Sequence, residues 1–261
     1  MLQLLGCIEA VAFDLDGTLV DTAPDLAAAA NSMLRILGGQ PLPEQCVAAM
    51  IGDGVDAFVG RVLEASGGAS RLDATLRPWA RILFRNLYQQ DLFVRGRVFA
   101  GVAPTLQVLQ DAELPLCCIT NKESRFALPL LEAAGLRESF AITVCADHPK
   151  DRKPSPSMLL AACRGLGVEP AKLLYVGDSP IDIAAARAAG CRVVAVTYGY
   201  GDDDMLAQAR PDGLLGNLSE ITPAEQPSPE TSPGRWRRPD GHVDPTPPGP
   251  QSPHRCRATR P

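Results

Sequence analysis

Histidine is scarce in this chain of 261 residues, which also contains no hydrophobic run long enough to cross a bilayer. The three histidines are His148, His242 and His254, so we expect neither a histidine-based zinc site nor a Ser-His-Asp triad. A basic excess is also missing, because the net charge is −5, and we expect that no nucleic acid is required as a partner. Without a spanning apolar run we expect no membrane partner either. None of the eight cysteines forms a C-x-x-C pair, which is typical of reduced thiols in a cytoplasmic protein.

Two common phosphate- and cation-binding signatures are absent as well. No Walker loop of the form G-x-x-x-x-G-K-[ST] occurs, which excludes the usual cradle for nucleotide phosphates. The carboxylates of Asp14 and Asp16 are followed directly by Gly17, so the sequence leaves no third ligand position for an EF-hand loop. A cation bound at this point would need ligands from elsewhere in the chain.

The pattern that is present is an alternation of short apolar runs with helical segments, in a chain that is 46% hydrophobic. The runs typical of buried strands cover 8–13, 114–120, 140–145, 172–178 and 191–197, and the helical patterns between them cover 101–112, 123–134, 155–166 and 180–189. Apolar strands separated by helices predict a parallel sheet that is covered on both faces. We therefore predict an α/β fold with a Rossmann-like core.

Two segments depart from this alternation. Residues 21–98 show consecutive helical patterns without a strand pattern between them, and we predict a helical cap domain inserted into a core of residues 1–20 and 99–222. Residues 223–261 are rich in proline and arginine and poor in aliphatic side chains. Such a segment buries too little surface to offset its chain entropy, so we predict a disordered C-terminal tail.

Charged and hydroxyl side chains stand at the C-terminal ends of three predicted strands. Asp14 and Asp16 come after the first apolar run, Thr120 ends the second, and Asp178 ends the fourth. Buried charges are costly unless they are paired or bind a metal, and ligands of open α/β sheets bind outside the carboxyl ends of the strands. We expect these four residues to meet at one edge of the sheet.

The chemistry of this set points to phosphate. Several carboxylates with few histidines predict a hard cation held by oxygen atoms, and Mg²⁺ fits that donor set. Thr120 and Asn121, together with the helix that starts after Lys153, offer hydroxyl and N–H donors to a phosphate. Lys153 adds a compact positive charge. These features predict a site for phosphoryl transfer, in which positioning and charge neutralisation dominate.

Four stretches, DLDGTL, ITN, RKPSP and VGDSPID, occur in this order and resemble the motifs of the haloacid dehalogenase-like superfamily. Longer stretches are similar to its bacterial phosphoglycolate phosphatases. The resemblance implies magnesium-dependent hydrolysis of 2-phosphoglycolate to glycolate and phosphate through an aspartyl-phosphate. Alternatives that stay open are a phosphatase of another small monoester such as N-acetylmuramate 6-phosphate, a sugar phosphomutase, and a non-catalytic binding module on the same fold.

The resemblance also implies roles for individual residues. Asp14 would be the nucleophile, and Asp16 would be the general acid and then the general base. Lys153 would neutralise the nucleophile and the phosphate. Thr120 and Asn121 would bind the phosphoryl oxygens.

The implied magnesium ligands are Asp14, the main-chain carbonyl of Asp16, and Asp178. Asp182 would not bind the metal directly but would orient the water molecules on the metal, or Lys153. The implied partner is a small phosphorylated metabolite, and the protein is expected to be a monomer or a homodimer.

Four aromatic residues and one turn complete the predictions. Gly52 and Asp53 interrupt a helical pattern in the cap, as either a simple helix break or a turn that faces the substrate. Trp79 and Phe84 are predicted to lie in the core of the cap. For Tyr198 and Tyr200, which follow the last predicted strand, packing is favoured over ligand contact.

Overall fold

The chain folds around a parallel sheet in this computed structural model, which describes residues 7–67 and 76–221. The first half of the chain forms β1 (Ala10–Phe13), β2 (Val20–Asp21), α1 (Ala23–Ile36), α2 (Glu44–Ala48), α3 (Val55–Ala65), α4 (Arg77–Gln90), β3 (Arg97–Val98) and α5 (Val102–Asp111). The second half forms β4 (Leu116–Thr120), α6 (Ser124–Ala133), β5 (Ile142–Cys145), α7 (Ser157–Leu166), β6 (Leu173–Gly177), α8 (Pro180–Ala189), β7 (Arg192–Val196), α9 (Asp203–Gln208) and β8 (Gly213–Leu215).

The core sheet has six parallel strands in the order β5-β4-β1-β6-β7-β8. Phe13 at the end of β1 pairs with Cys118 of β4 on one side and with Val176 of β6 on the other, so the carboxyl ends of these three strands lie at the same edge of the sheet. The predicted α/β fold with a Rossmann-like core is confirmed. The edge strand β8 was not predicted, because three residues beginning with glycine leave too short an apolar run.

Helices cover both faces of the sheet, as the strand sequences require. Side chains alternate along β1, so Val11 and Phe13 pack on the face covered by α5 and α6, while Ala10 and Ala12 pack on the face covered by α7 and α8. All four side chains are fully buried. This two-sided burial explains why the strands are continuous apolar runs rather than alternating ones.

The helical insert consists of α1 to α4, which share an apolar cluster that includes Phe58, Phe84 and Tyr88. The predicted burial of Phe84 is confirmed. The predicted burial of Trp79 is wrong, since its side chain is 67% exposed. The buried side of α4 carries residues spaced four apart, Ala80, Phe84 and Tyr88, and Trp79 falls outside that stripe.

A short antiparallel ribbon joins the insert to the core. Val20 pairs with Val98 and Asp21 with Arg97, so β2 and β3 bring the two ends of the insert together. The expectation that residues 21–98 contain no strand is wrong at both ends, because two-residue strands leave no periodic signal. The exact domain boundaries stay a prediction, and the predicted disordered tail, 223–261, lies outside the described residues. Within the described ranges, no helix is long and apolar enough to cross a membrane.

Candidate active site

The carboxyl ends of the central strands surround one cavity of about 380 Å³. The predicted site residues that line it are Asp14, Asp16, Gly52, Asp53, Thr120, Asn121, Lys153 and Asp178. They come from the loops after β1, β4 and β6, from the segment before α7, and from the turn between α2 and α3 of the insert. The parallel register of the sheet therefore brings together residues that are far apart in the sequence.

Lys153 lies at the centre of a buried ion-pair network. Its Nζ is 2.8 Å from Asp14 Oδ1 and 2.6 Å from Asp182 Oδ1, and it donates a hydrogen bond of 2.9 Å to the Tyr175 hydroxyl. Burial opposes the charge of the ammonium, but the two carboxylates outweigh burial and raise the pKa of Lys153. Lys153 thus stays protonated next to Asp14.

Asp182 holds this lysine from α8. Its Oδ1 accepts from Lys153 and from the Tyr175 hydroxyl, and its Oδ2 accepts from the hydroxyl and main-chain N–H of Ser179. Ser179 in turn accepts from Asp182 N–H, which completes a capping box at the start of α8. Asp182 is fully buried, and both of its oxygens are engaged by protein groups. This arrangement fits the implied role of orienting Lys153.

Three carboxylates, those of Asp14, Asp178 and Asp182, have oxygens within 4.8 Å of one another. Burial raises the pKa of Asp14 well above its usual range; Lys153 opposes that shift, while Asp182 and Asp178 add to it. Burial and the nearby Asp182 also raise the pKa of Asp178 to about 7, although the Tyr200 N–H and the Thr18 hydroxyl oppose the shift. The cluster holds more negative charge than Lys153 compensates, and its donors are all carboxylate oxygens, so it suits a hard divalent cation.

The loop after β1 requires a glycine at position 17. Gly17 has φ +85°, and a Cβ there would overlap with Asp178 Oδ2. Thr18 then donates to Asp178 Oδ1 at 3.1 Å. The Asp-Gly-Thr sequence therefore lets the β1 loop approach the carboxylate at the end of β6.

The Asp16 carboxylate points to a different set of partners. Thr22 Oγ1 donates to its Oδ1 at 2.6 Å, and Lys122 Nζ lies 2.8 and 2.9 Å from its two oxygens. Among the described residues, Asp16 is not part of the metal-type carboxylate cluster. Its side chain is therefore kept apart from Asp14, as separate roles for the two acids would require.

Asn121 connects the segment around Lys153 to the insert. Its Oδ1 accepts from the main-chain N–H of Lys153 at 2.7 Å, and its Nδ2 donates to the Lys153 carbonyl at 3.1 Å and to the Gly52 carbonyl at 2.8 Å. The amide is thus engaged by backbone groups, so it orients Lys153 and the α2–α3 turn. The turn at Gly52 both separates the two helices and contacts the cavity.

The model of one protein family matches residues 8–190 of the chain, and its description is haloacid dehalogenase-like hydrolase. The chain belongs to the haloacid dehalogenase-like hydrolase family. A phosphoglycolate phosphatase of Chromobacterium violaceum is 45% identical over 214 residues, which are 82% of this chain and 95% of that protein. A phosphoglycolate phosphatase of Neisseria meningitidis is 42% identical over 223 residues, covering 84% of this chain and 94% of that protein.

A crystal structure of a predicted phosphoglycolate phosphatase from Haemophilus somnus is also similar to this chain. The two superpose with a TM-score of 0.78 at 31% sequence identity, over 83% of this chain and 97% of the other. The similarity in sequence and in structure therefore spans the core and the helical insert of this family member.

Two residues that contact the site were missed or incompletely described from the sequence. Lys122 follows Thr120 and Asn121 and resembles a surface lysine in the sequence, yet it is buried, with its Nζ 5.0 Å from the centre of the Tyr88 ring of α4. Burial opposes its charge, but Asp16 outweighs burial and raises the pKa of Lys122. No local sequence signal distinguishes this lysine from an exposed one.

Tyr200 does more than pack. Its hydroxyl accepts from the N–H groups of Thr22 and Ala23 at the start of α1 and donates to Asp21 Oδ1 at 3.0 Å, and its own N–H donates to Asp178. Tyr198, by contrast, packs on Phe99 and donates to the Thr18 carbonyl at 2.8 Å. Tyr198 therefore holds the loop after β1, whereas Tyr200 holds the start of α1 and also lines the cavity.

Proposed function

We propose that this protein hydrolyses 2-phosphoglycolate to glycolate and phosphate with the help of Mg²⁺. The observation that carries a phosphatase reaction is the buried Asp14–Lys153 pair at 2.8 Å, with Asp16 as a second acid lining the same cavity. The substrate is inferred from two relatives, both phosphoglycolate phosphatases, that are 42% and 45% identical to this chain. The match covers 94% and 95% of their own lengths.

In the first step, a carboxylate oxygen of Asp14 attacks the phosphorus atom and forms an aspartyl-phosphate. The bond between phosphorus and the glycolate oxygen breaks, and Asp16 acts as general acid by donating a proton to that leaving oxygen. Lys153 balances the charge of Asp14 and of the phosphoryl oxygens throughout, because Asp182 and Tyr175 hold its ammonium in place.

In the second step, water attacks phosphorus and the Asp16 carboxylate accepts a proton from that water. The bond from phosphorus to the Asp14 oxygen breaks, which releases phosphate and restores the Asp14 carboxylate. Asp14, Asp178 and the main-chain carbonyl of Asp16 would hold Mg²⁺. The ion would neutralise charge that builds up on the phosphoryl oxygens.

The experiment is a measurement of phosphate release, with and without Mg²⁺, from 2-phosphoglycolate, N-acetylmuramate 6-phosphate, other sugar phosphates and β-glucose 1-phosphate. We expect a strong, magnesium-dependent preference for 2-phosphoglycolate, and no turnover by Asp14→Asn, which lacks the nucleophile. The matched control is Asp111→Asn, at an exposed helix position that bonds only Gln107 among the described residues.

Each contrary outcome has a defined meaning. Preference for a sugar phosphate would keep the reaction and change the substrate. Turnover by Asp14→Asn would contradict the covalent mechanism. Conversion of β-glucose 1-phosphate without phosphate release would indicate a mutase, and absence of any reaction would favour a binding module.

A further inference from the structure

We infer that Arg61 of the insert binds the carboxylate of the substrate, so that the cavity selects phosphate monoesters that carry a second anionic group. This inference rests on the proposed function, because it assigns the non-reacting end of 2-phosphoglycolate. Arg61 lies on α3 and lines the same cavity as Asp14 and Lys153. It forms a subsite on the insert, across from the carboxyl ends of the strands.

The charges around the cavity leave a second anion few partners. The residues that line it include five aspartates, whereas its only cationic side chains in the described part of the chain are Lys153 and Arg61. Lys153 is already paired with Asp14 and Asp182 and is buried at the phosphate end. A substrate carboxylate placed among aspartates without a cation would be repelled. Arg61 is the second cation of this lining and, although it pairs with Asp53, its side chain is partly exposed and has further N–H donors.

The guanidinium of Arg61 is held in place before any substrate arrives. Its Nη1 contacts Asp53 Oδ2 at 2.5 Å and its Nη2 donates to the Met50 carbonyl at 2.6 Å. The Arg61 side chain nevertheless stays 36% exposed. A guanidinium has five N–H donors, so further donors remain for a ligand, and its planar shape suits a carboxylate.

The turn that holds Arg61 is connected by hydrogen bonds to the segment that carries Lys153. Met50 and Asp53, which fix the guanidinium, flank Gly52, whose carbonyl accepts from Asn121 Nδ2. Asn121 also bonds both the N–H and the carbonyl of Lys153. A short series of hydrogen bonds therefore fixes the placement of Arg61 relative to the lysine at the phosphate end, as recognition of two charged groups on one small molecule requires.

The test compares two substrates that differ only at the end assigned to Arg61. One is 2-phosphoglycolate; the other is 2-hydroxyethyl phosphate, in which a CH₂OH group replaces the carboxylate. We expect Arg61→Met to lower kcat/KM for 2-phosphoglycolate by roughly 100-fold, mainly through KM, because an interaction between opposite charges is lost. For 2-hydroxyethyl phosphate the change should stay within about 3-fold, since that substrate has no carboxylate for Arg61 to bind.

Two further variants keep the result interpretable. Arg61→Lys retains the charge without the planar fork, and it should recover part of the lost preference. Arg77→Met is the matched control on the same insert, because Arg77 pairs with Glu64 and does not line the cavity. It should behave as wild type with both substrates.

The outcomes separate this inference from the proposed function. If wild type does not favour 2-phosphoglycolate over 2-hydroxyethyl phosphate, the proposed substrate is wrong. If wild type favours it and Arg61→Met keeps that preference, the role of Arg61 is overturned while the proposed function stands. An equal loss on both substrates would likewise overturn carboxylate binding, since it would show only a general role in the structure.

Discussion

Lys122 contacts both oxygens of Asp16 and packs over Tyr88 of the insert, although Asp16 and Lys122 are 106 positions apart in the chain. An acid that must give and then accept a proton needs a fixed starting position. We regard Lys122 as a positioning residue, because it reaches the reacting atoms through Asp16.

We expect Lys122→Met to reduce kcat for 2-phosphoglycolate by roughly 10- to 100-fold, because a misplaced acid protonates the leaving oxygen less effectively. The loss should be much smaller for p-nitrophenyl phosphate, whose leaving group needs no proton. Steady-state kinetics with both substrates measure this contrast. The matched control is Lys172→Met, since Lys172 pairs with Glu9 on the surface.

A purely structural role for Lys122 would give a different result. It would lower kcat for both substrates to the same extent, and that outcome would contradict the assignment. Loss of stability is expected in either case, by about 3 kcal/mol, because Asp16 loses a buried partner. Unfolding of the variant in denaturant checks this separately from its kinetics.

At the scale of elements, the insert is held at its two ends and at its α2–α3 turn, as well as through α4, where Arg85 pairs with Glu123 of the core. Asp25 in the first turn of α1 accepts from three consecutive N–H groups, those of Val94, Arg95 and Gly96, just before β3. The α2–α3 turn is held by the hydrogen bond that Asn121 Nδ2 donates to the Gly52 carbonyl. The bonds of Asp25 thus join the two ends of the insert to each other, and Asn121 joins the α2–α3 turn to the core.

We expect Asp53→Asn to change substrate preference more than stability. The Asp53–Arg61 pair is over one third exposed at both side chains, so its loss should cost at most about 1 kcal/mol. Removing Asp53's charge alters the environment of the only guanidinium that lines the cavity in the described structure. Specificity constants for the substrate panel, together with Tm, measure the two effects.

The matched control is Asp56→Asn, which removes a carboxylate three residues further on, in the first turn of α3. Asp56 pairs with Arg81 and Arg85 and does not line the cavity. Its substitution should leave the substrate preference unchanged. Unchanged preference in Asp53→Asn as well would show that the turn is only a break between α2 and α3.

At the scale of the whole molecule, gathering carboxylates at one edge has an effect on stability. The pKa of Asp178 is about 7 in the folded protein, mainly through burial, against an ordinary value of 3.8. Between these values the folded state binds more protons than the unfolded state. The contribution of Asp178 to the free energy of unfolding of the metal-free protein therefore decreases as pH rises from about 4 to about 7.

We expect Asp178→Asn to become increasingly more stable than wild type over this pH range when metal is absent. The difference in Tm between the two proteins isolates Asp178 from other titrating groups. Mg²⁺ should raise the Tm of wild type near pH 7 and have little effect on the variant, which lacks one of its proposed ligands. A Tm difference that stays constant with pH would contradict the shifted pKa.

The sequence alone supported the prediction of the α/β fold and of the residues that meet at the sheet edge. Apolar runs that end in Asp14, Thr120 and Asp178 carry that information locally, because parallel strands place their carboxyl ends together. Strand β8 and the ribbon β2–β3 escaped prediction, since two or three residues show no periodicity. Trp79 was misplaced because its burial depends on which side of α4 meets the insert's apolar cluster.

Only the tertiary structure decided which charged residues join the site. Lys122 is buried against Asp16, and Arg61 lies in the cavity while Arg77 does not. In the sequence these are ordinary polar positions, because the partners that give them a role lie on other elements. Strand ends follow from local chemistry, whereas the burial and pairing of a charge depend on contacts between distant parts of the chain.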